Sequence, residues 1–130
     1  MCEKLFINMR SSKGSRRERE LLELLSGMGF VVHRVAGSGS KEEAICDLVA
    51  IKSKEAVDEL VHPDLRNGKI HFIECKSRKK CFYSGDCLDQ LRNLVEHAKK
   101  CGAKPVLAVK LNFKEWQFFD LRKGIPEKVD

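Results

Sequence analysis

Glu74 and Lys76 stand two residues apart at the end of an apolar run, Ile70-His71-Phe72-Ile73. The run is rich in β-favouring residues, and the spacing predicts a strand over 69–76. Side chains alternate across a strand, so Glu74 and Lys76 share one face while Ile73 and Cys75 point to the other. A carboxylate can hold a hard cation through oxygen, and an ammonium beside it can orient a water. Cross-strand charge pairing produces the same pattern, so the pair needs support from elsewhere. That support is Asp47, at the head of a second apolar run, Leu48-Val49-Ala50-Ile51. A strand over 47–51 lying beside the Glu-x-Lys strand would bring two carboxylates within bridging distance of one ion.

A third acid, Glu18, lies in the predicted helix that begins near 12–15 and runs to Gly27. Leu21, Leu22, Leu24, Leu25 and Met28 form its apolar stripe, and Gly27 or Gly29 stops it. Glu18 borders that stripe through Leu21, Leu22 and Leu25. Two readings stay open: a functional acid, or the far half of a capping box begun at Ser15. Arg10, Lys13, Arg16, Arg17 and Arg19 crowd this helix start, as a solvated face or as a grip on phosphates. Arg19 points more outward than Glu18.

The remaining elements must hold these groups in place. A strand over 30–35 leads into Gly37-Ser38-Gly39-Ser40, whose backbone could approach a phosphate closely or merely connect. Arg34 on that strand can pair with an acid or a phosphate; His33 reads as a packing or surface residue. The stretch 53–68 is acidic, with a short helix expected over 55–61 before Pro63. It reads as an insertion facing away from any nucleic acid. Beyond Lys76 come Arg78, Lys79 and Lys80, which extend a cationic surface. A long helix is predicted over 85–101 with Leu88, Leu91, Leu94, Val95 and Ala98 inward, ended by Gly102. Strands over 106–110 and 116–121 follow. Trp116 and Phe118 take one face of the last strand and Phe119 and Leu121 the other, covered by core or by a second subunit. The fold class is α/β, a mixed sheet of about five strands flanked by helices.

The 130 residues fit one domain, with 1–9 as an N-terminal extension. Twenty-five Lys and Arg against 19 Asp and Glu give a formal charge of +6, which suits a polyanionic partner. No window is long and apolar enough for a membrane span, and the opening residues are too short and polar for a signal peptide. The six cysteines contain no Cys-x-x-Cys spacing, which argues against structural zinc and for reduced thiols in a cytoplasmic protein.

Taken together, Lys13-Gly14, Glu18-Arg19-Glu20-Leu21, Gly29-Phe30, Arg34, Gly37-Ser38, Asp47-Leu48-Val49-Ala50, Glu74-x-Lys76 and 105–110 resemble the archaeal Holliday-junction resolvases. These are a branch of the PD-(D/E)-x-K nucleases, with a restriction-endonuclease-like fold, and the likeness runs over about 13–121. It implies a homodimeric endonuclease that uses Mg²⁺, with Mn²⁺ expected to substitute, and nicks opposed strands of a four-way DNA junction to leave 5′-phosphates. Carried over, Asp47 and Glu74 resemble metal ligands, Lys76 the residue that positions water, and Glu18 a further active-site and metal-binding acid. Ser38 or Ser40 matches a catalytic loop serine; the two are not distinguished. Lys13, Arg16, Arg17, Arg19, Arg34, Arg78, Lys79 and Lys80 form the expected DNA-binding set. Cys46 stands where the superfamily has Pro, and 53–68 lengthens the gap between the acids, which costs stability only logarithmically. A nuclease of the same fold acting on other DNA structures, and a non-catalytic junction-binding module, remain as alternatives.

Overall fold

The computed structural model describes residues 13–35 and 45–130, with the side chains of Lys13 and Gly14 excluded. Ser38, Ser40, the 1–9 extension and the side chain of Lys13 therefore lie outside the described residues. Helix α1 covers Lys13–Gly27. Strands β1 (Phe30–Arg34), β2 (Leu48–Lys52) and β3 (Ile70–Arg78) follow. Then come β4 (Phe82–Tyr83), α2 (Leu88–Cys101), β5 (Lys104–Leu111), β6 (Gln117–Asp120) and β7 (Lys128–Val129).

Five strands form one mixed sheet in the order β1-β2-β3-β5-β6. Only β3 and β5 run parallel, joined by the crossover that carries α2; the other pairs are antiparallel. Leu21 and Leu25 of α1 are buried against Leu48, Ala50, Ile73, Val106, Ala108 and Phe118 on one face. Leu24 is 39% exposed, so the stripe of α1 is narrower than its five apolar residues suggest. Leu91 and Leu94 of α2 cover the other face with Leu107, Val109 and Leu121. Core packing thus accounts for both faces of β6: Phe118 belongs to the α1 layer and Phe119 to the α2 layer.

Two glycines have clear mechanical jobs. A Cβ at Gly29, where φ is +102°, would meet Ala56 Cα at 2.6 Å. Gly102 ends α2 in the left-handed region, its N–H donating to the carbonyls of Ala98 and Lys99.

Two local expectations change. The predicted helix over 55–61 is a single 3₁₀ turn, Asp58–Leu60, with a second at Pro63–Leu65. Both ends of the first turn are extended: Val61 leaves it to enter the core, and Pro63 disfavours helix at the residue before it. The stretch 53–68 also contributes to the core, since Val61 and Leu65 are buried in the α1 layer. It does sit at the end of the sheet where β2 stops and β3 starts, away from Asp47 and Lys76. The second helix begins at Leu88, after a 3₁₀ turn over Ser84–Cys87. The small β4–β7 sheet, which seats Val129 beside Phe82, had no periodic signal in either two-residue strand.

Candidate active site

Asp47 sits one residue ahead of β2, locked by its backbone. Its N–H donates to the Ile73 carbonyl at 3.0 Å, and its carbonyl accepts from Val35 N–H at 2.9 Å. The side chain is pinned as well: Oδ2 accepts the Cys75 N–H at 2.8 Å. The acid expected from the sequence is thus held directly beside the Glu-x-Lys segment of β3. Glu74 is only 3% exposed, and its Oε2 lies 3.3 Å from Lys76 Nζ. Both side chains project from the sheet face covered by α2, because Lys76 Nζ donates to Gln90 Oε1 of that helix at 3.2 Å.

Two buried carboxylates side by side disfavour full ionisation. Burial first, and the negative charge of Asp47 second, raise the Glu74 pKa to about 8, against the opposing pull of Lys76. Burial and the neighbouring acids also push Cys46 up to about 12 and Cys75 higher still, so both thiols are inert packing groups here. All five described cysteines are free, and no described residues form a disulfide.

Glu18 reaches toward the same charge cluster from α1. Its pKa is raised by burial and then by Asp47, and lowered by Arg34. Arg34, the last residue of β1, donates to Glu18 Oε1 from Nη2 at 3.0 Å and Nε at 3.3 Å, and from Nη2 to Ser15 Oγ at 3.5 Å. Ser15 is inside α1, not ahead of it, so Ser15 and Glu18 do not form the capping box. Both instead meet the guanidinium of Arg34.

The expected DNA-binding residues divide. Arg16 is exposed, and Arg19 half-buried, on α1. Arg17 is engaged with Glu20 at 2.9 Å, and Glu20 also accepts from Trp116 Nε1 at 3.2 Å. Arg78, Lys79 and Lys80 are exposed past the end of the Glu74–Lys76 segment, with the Arg78 guanidinium 5.5 Å from the Phe82 ring centroid. Gln90 was not anticipated. Its signal was present but faint: it falls four residues before Leu94 and eight before Ala98, a polar side chain on the buried stripe of α2.

Among the described residues no group of three or more His, Cys, Asp and Glu is assembled as a metal cage. The donor set nevertheless fits a hard divalent ion. Mg²⁺ typically takes one or two carboxylates and fills its other positions with water and substrate phosphate. Asp47 and Glu74 supply such a pair, and its raised pKa is the mark of negative charge waiting for a countercharge.

An acid before one strand and Glu-x-Lys on the next, in a mixed sheet between two helices, define a nuclease of the restriction-endonuclease-like class. The comparisons narrow that class. The family model described as archaeal Holliday junction resolvase (Hjc) matches residues 9–127. A crossover junction endodeoxyribonuclease Hjc of Archaeoglobus fulgidus is 37% identical over 114 residues, 85% of this chain and 71% of that protein. Its counterpart from Sulfurisphaera tokodaii is 34% identical, over 81% of this chain and 64% of its own length. The one from Sulfolobus acidocaldarius is 33% identical over 86% and 71%. A solved structure of A. fulgidus Hjc, described as a Holliday junction resolvase, aligns with a TM-score of 0.61 and 34% identity, over 88% of this chain and 85% of that one. The chain belongs to the archaeal Holliday junction resolvase family.

Proposed function

We propose that this chain is a Mg²⁺-dependent endonuclease that, as a homodimer, nicks two opposed strands of a four-way DNA junction. The observation that carries the reading is the buried Asp47–Glu74 pair with Lys76 alongside, in a chain of the resolvase family. Asp47 and Glu74 would hold the cation, with Glu18 the nearest further acid. When bound, Mg²⁺ supplies Lewis acidity and positive charge at the scissile phosphate. Mn²⁺ supplies the same chemistry.

The chain's own residues do the positioning. Asp47 is oriented by the Cys75 N–H and lies against the Glu74 carboxyl, so the pair is held together to face one ion. Lys76, steadied between Glu74 and Gln90, holds the attacking water in line with the phosphate. Arg34 holds Glu18 through two hydrogen bonds and adds positive charge beside it. Arg16, Arg19, Arg78, Lys79 and Lys80 grip the backbone, which gives steep salt dependence and little reading of bases. A two-fold dimer presents two such sites with the symmetry of the junction.

The test incubates the protein with Mg²⁺ and a labelled immobile four-way junction beside a linear duplex of the same sequence. Paired nicks confined to the junction support the reading. Equal cutting of both substrates reduces it to a general nuclease, and tight junction binding without cutting under Mg²⁺ or Mn²⁺ refutes the catalytic half.

A further inference from the structure

Phe113 is 101% exposed, and its φ is +64°. It is the third residue of the turn linking β5 to β6, closed by Lys114 N–H donating to the Leu111 carbonyl at 3.2 Å. That turn position favours glycine or asparagine; a bulky side chain there is strained, and a phenyl ring in water gains nothing by burial. Folding therefore does not account for this residue. The turn around it is firmly built. Asn112 N–H donates to the Lys79 carbonyl at 3.2 Å, and the Lys110 ammonium reaches back to the carbonyls of Leu111 and Lys114. A rigid base thus displays an unsupported aromatic ring.

The surroundings select the partner. Because β3 and β5 are parallel, the turn lies at the same end of the sheet as Lys76 and next to the exposed Arg78, Lys79 and Lys80. Lys114 is exposed beside it. Lys76 is level with Val109, and β5 runs only to Leu111, level with Arg78, before the turn that carries Phe113. An exposed aromatic face on a turn beside exposed lysines matches a base presented with its phosphates, since stacking needs a π-face and the phosphates need cations.

We propose that Phe113 stacks on a base exposed at the branch point and so discriminates branched from linear DNA. The proposal deepens the resolvase reading and rests on it. The ring acts in binding and touches no reacting atom.

The test measures dissociation constants for the immobile junction and the linear duplex by fluorescence anisotropy in EDTA, for wild type, Phe113→Gly, Phe113→Trp and Phe113→Asn. Glycine removes the ring and suits the turn, so loss of folding cannot explain its effect. Phe113→Gly and Phe113→Asn should weaken junction binding about tenfold, leave duplex binding and the salt slope unchanged, and be rescued by Phe113→Trp. Unchanged junction affinity in Phe113→Gly, or equal loss on duplex, overturns the proposal. So does conversion of a dimer to a monomer by Phe113→Gly in sedimentation, which would make the ring a subunit contact. A wild-type protein that binds the junction no more tightly than duplex refutes the resolvase reading itself.

Discussion

The two ends of the sheet both bury charge and treat it in opposite ways. At the end where β2 stops and β3 starts, cations are the problem, and backbone carbonyls answer them. Lys104 is 4% exposed, and its ammonium donates to the Asp64 carbonyl at 2.5 Å. The Lys52 ammonium donates to the Arg66 carbonyl and lies 3.6 Å from Asp58. His71, fully buried and edge-on to Phe30, stays neutral: burial, then Lys104 and Lys52, lower its pKa to about 4. The 3₁₀ turns over 58–65 supply the carbonyls and drop Val61 and Leu65 into the core. At the other end, Asp47 and Glu74 are crowded together with a single ammonium between Glu74 and α2. There burial and the second carboxylate make full ionisation unfavourable until a countercharge arrives. Burying charge with its partners builds structure, whereas burying it without them builds a site for something that arrives later.

The largest effect that separates the two ends should come from Glu74→Gln. Removing one carboxylate oxygen at the active end should cut junction nicking by about a thousandfold, on the order of 4 kcal/mol in the barrier. Junction binding and folding should be retained, because the amide replaces the carboxyl at nearly the same size and no core contact is lost. Single-turnover cleavage and binding assays on the same preparation check this. Loss of binding together with cutting would mean that Glu74 holds the structure and not the chemistry.

Leu65→Ala should show the reverse at the structural end. Denaturant unfolding should register a loss of about 3 kcal/mol for this fully buried side chain, while cleavage per folded molecule is unchanged. If activity per folded molecule falls in step with stability, the two ends are coupled.

A pH series sharpens the same contrast. The folded-state pKa of His71, about 4, lies below the unfolded value of about 6.5, so the neutral ring is the form that folding selects. Its contribution is present above pH 6.5 and is lost as pH falls from there toward 4, by up to about 3 kcal/mol. His71→Phe should flatten that part of the stability curve; a mutant curve parallel to wild type would remove His71 as the cause. Smallest is Gln90→Ala, which should lower kcat about tenfold by freeing Lys76, with junction affinity unaltered. An equal drop in affinity would place Gln90 in DNA binding.

Much of the acidic end was legible in the sequence, because its logic is one-dimensional. Period-two alternation fixes the shared face of Glu74 and Lys76, and an apolar run with an acid at its head marks Asp47. The five-stranded mixed sheet follows from the spacing of the apolar runs. The structural end was less legible because its logic is tertiary. The acids of 53–68 suggest a solvated excursion, yet what matters there is Val61, Leu65 and the carbonyls of Asp64 and Arg66, none of which has a pattern. Gln90 escaped for a related reason: a single polar residue on an apolar stripe acquires meaning only when Lys76 is seen opposite it. Glu18 fell between the two. Its sequence context fits a cap and an active-site acid equally; the structure removes the cap, because Ser15 lies inside α1, and pairs Glu18 with Arg34.

The most direct test of the account is calorimetric titration of Mn²⁺ into the DNA-free protein at neutral pH, for wild type and for Asp47→Asn. Binding in the wild type that is abolished in Asp47→Asn, with the far-ultraviolet circular dichroism unchanged, is the predicted result. Equal Mn²⁺ binding by both proteins would contradict it, because the buried carboxylate pair would then not be where the cation is held.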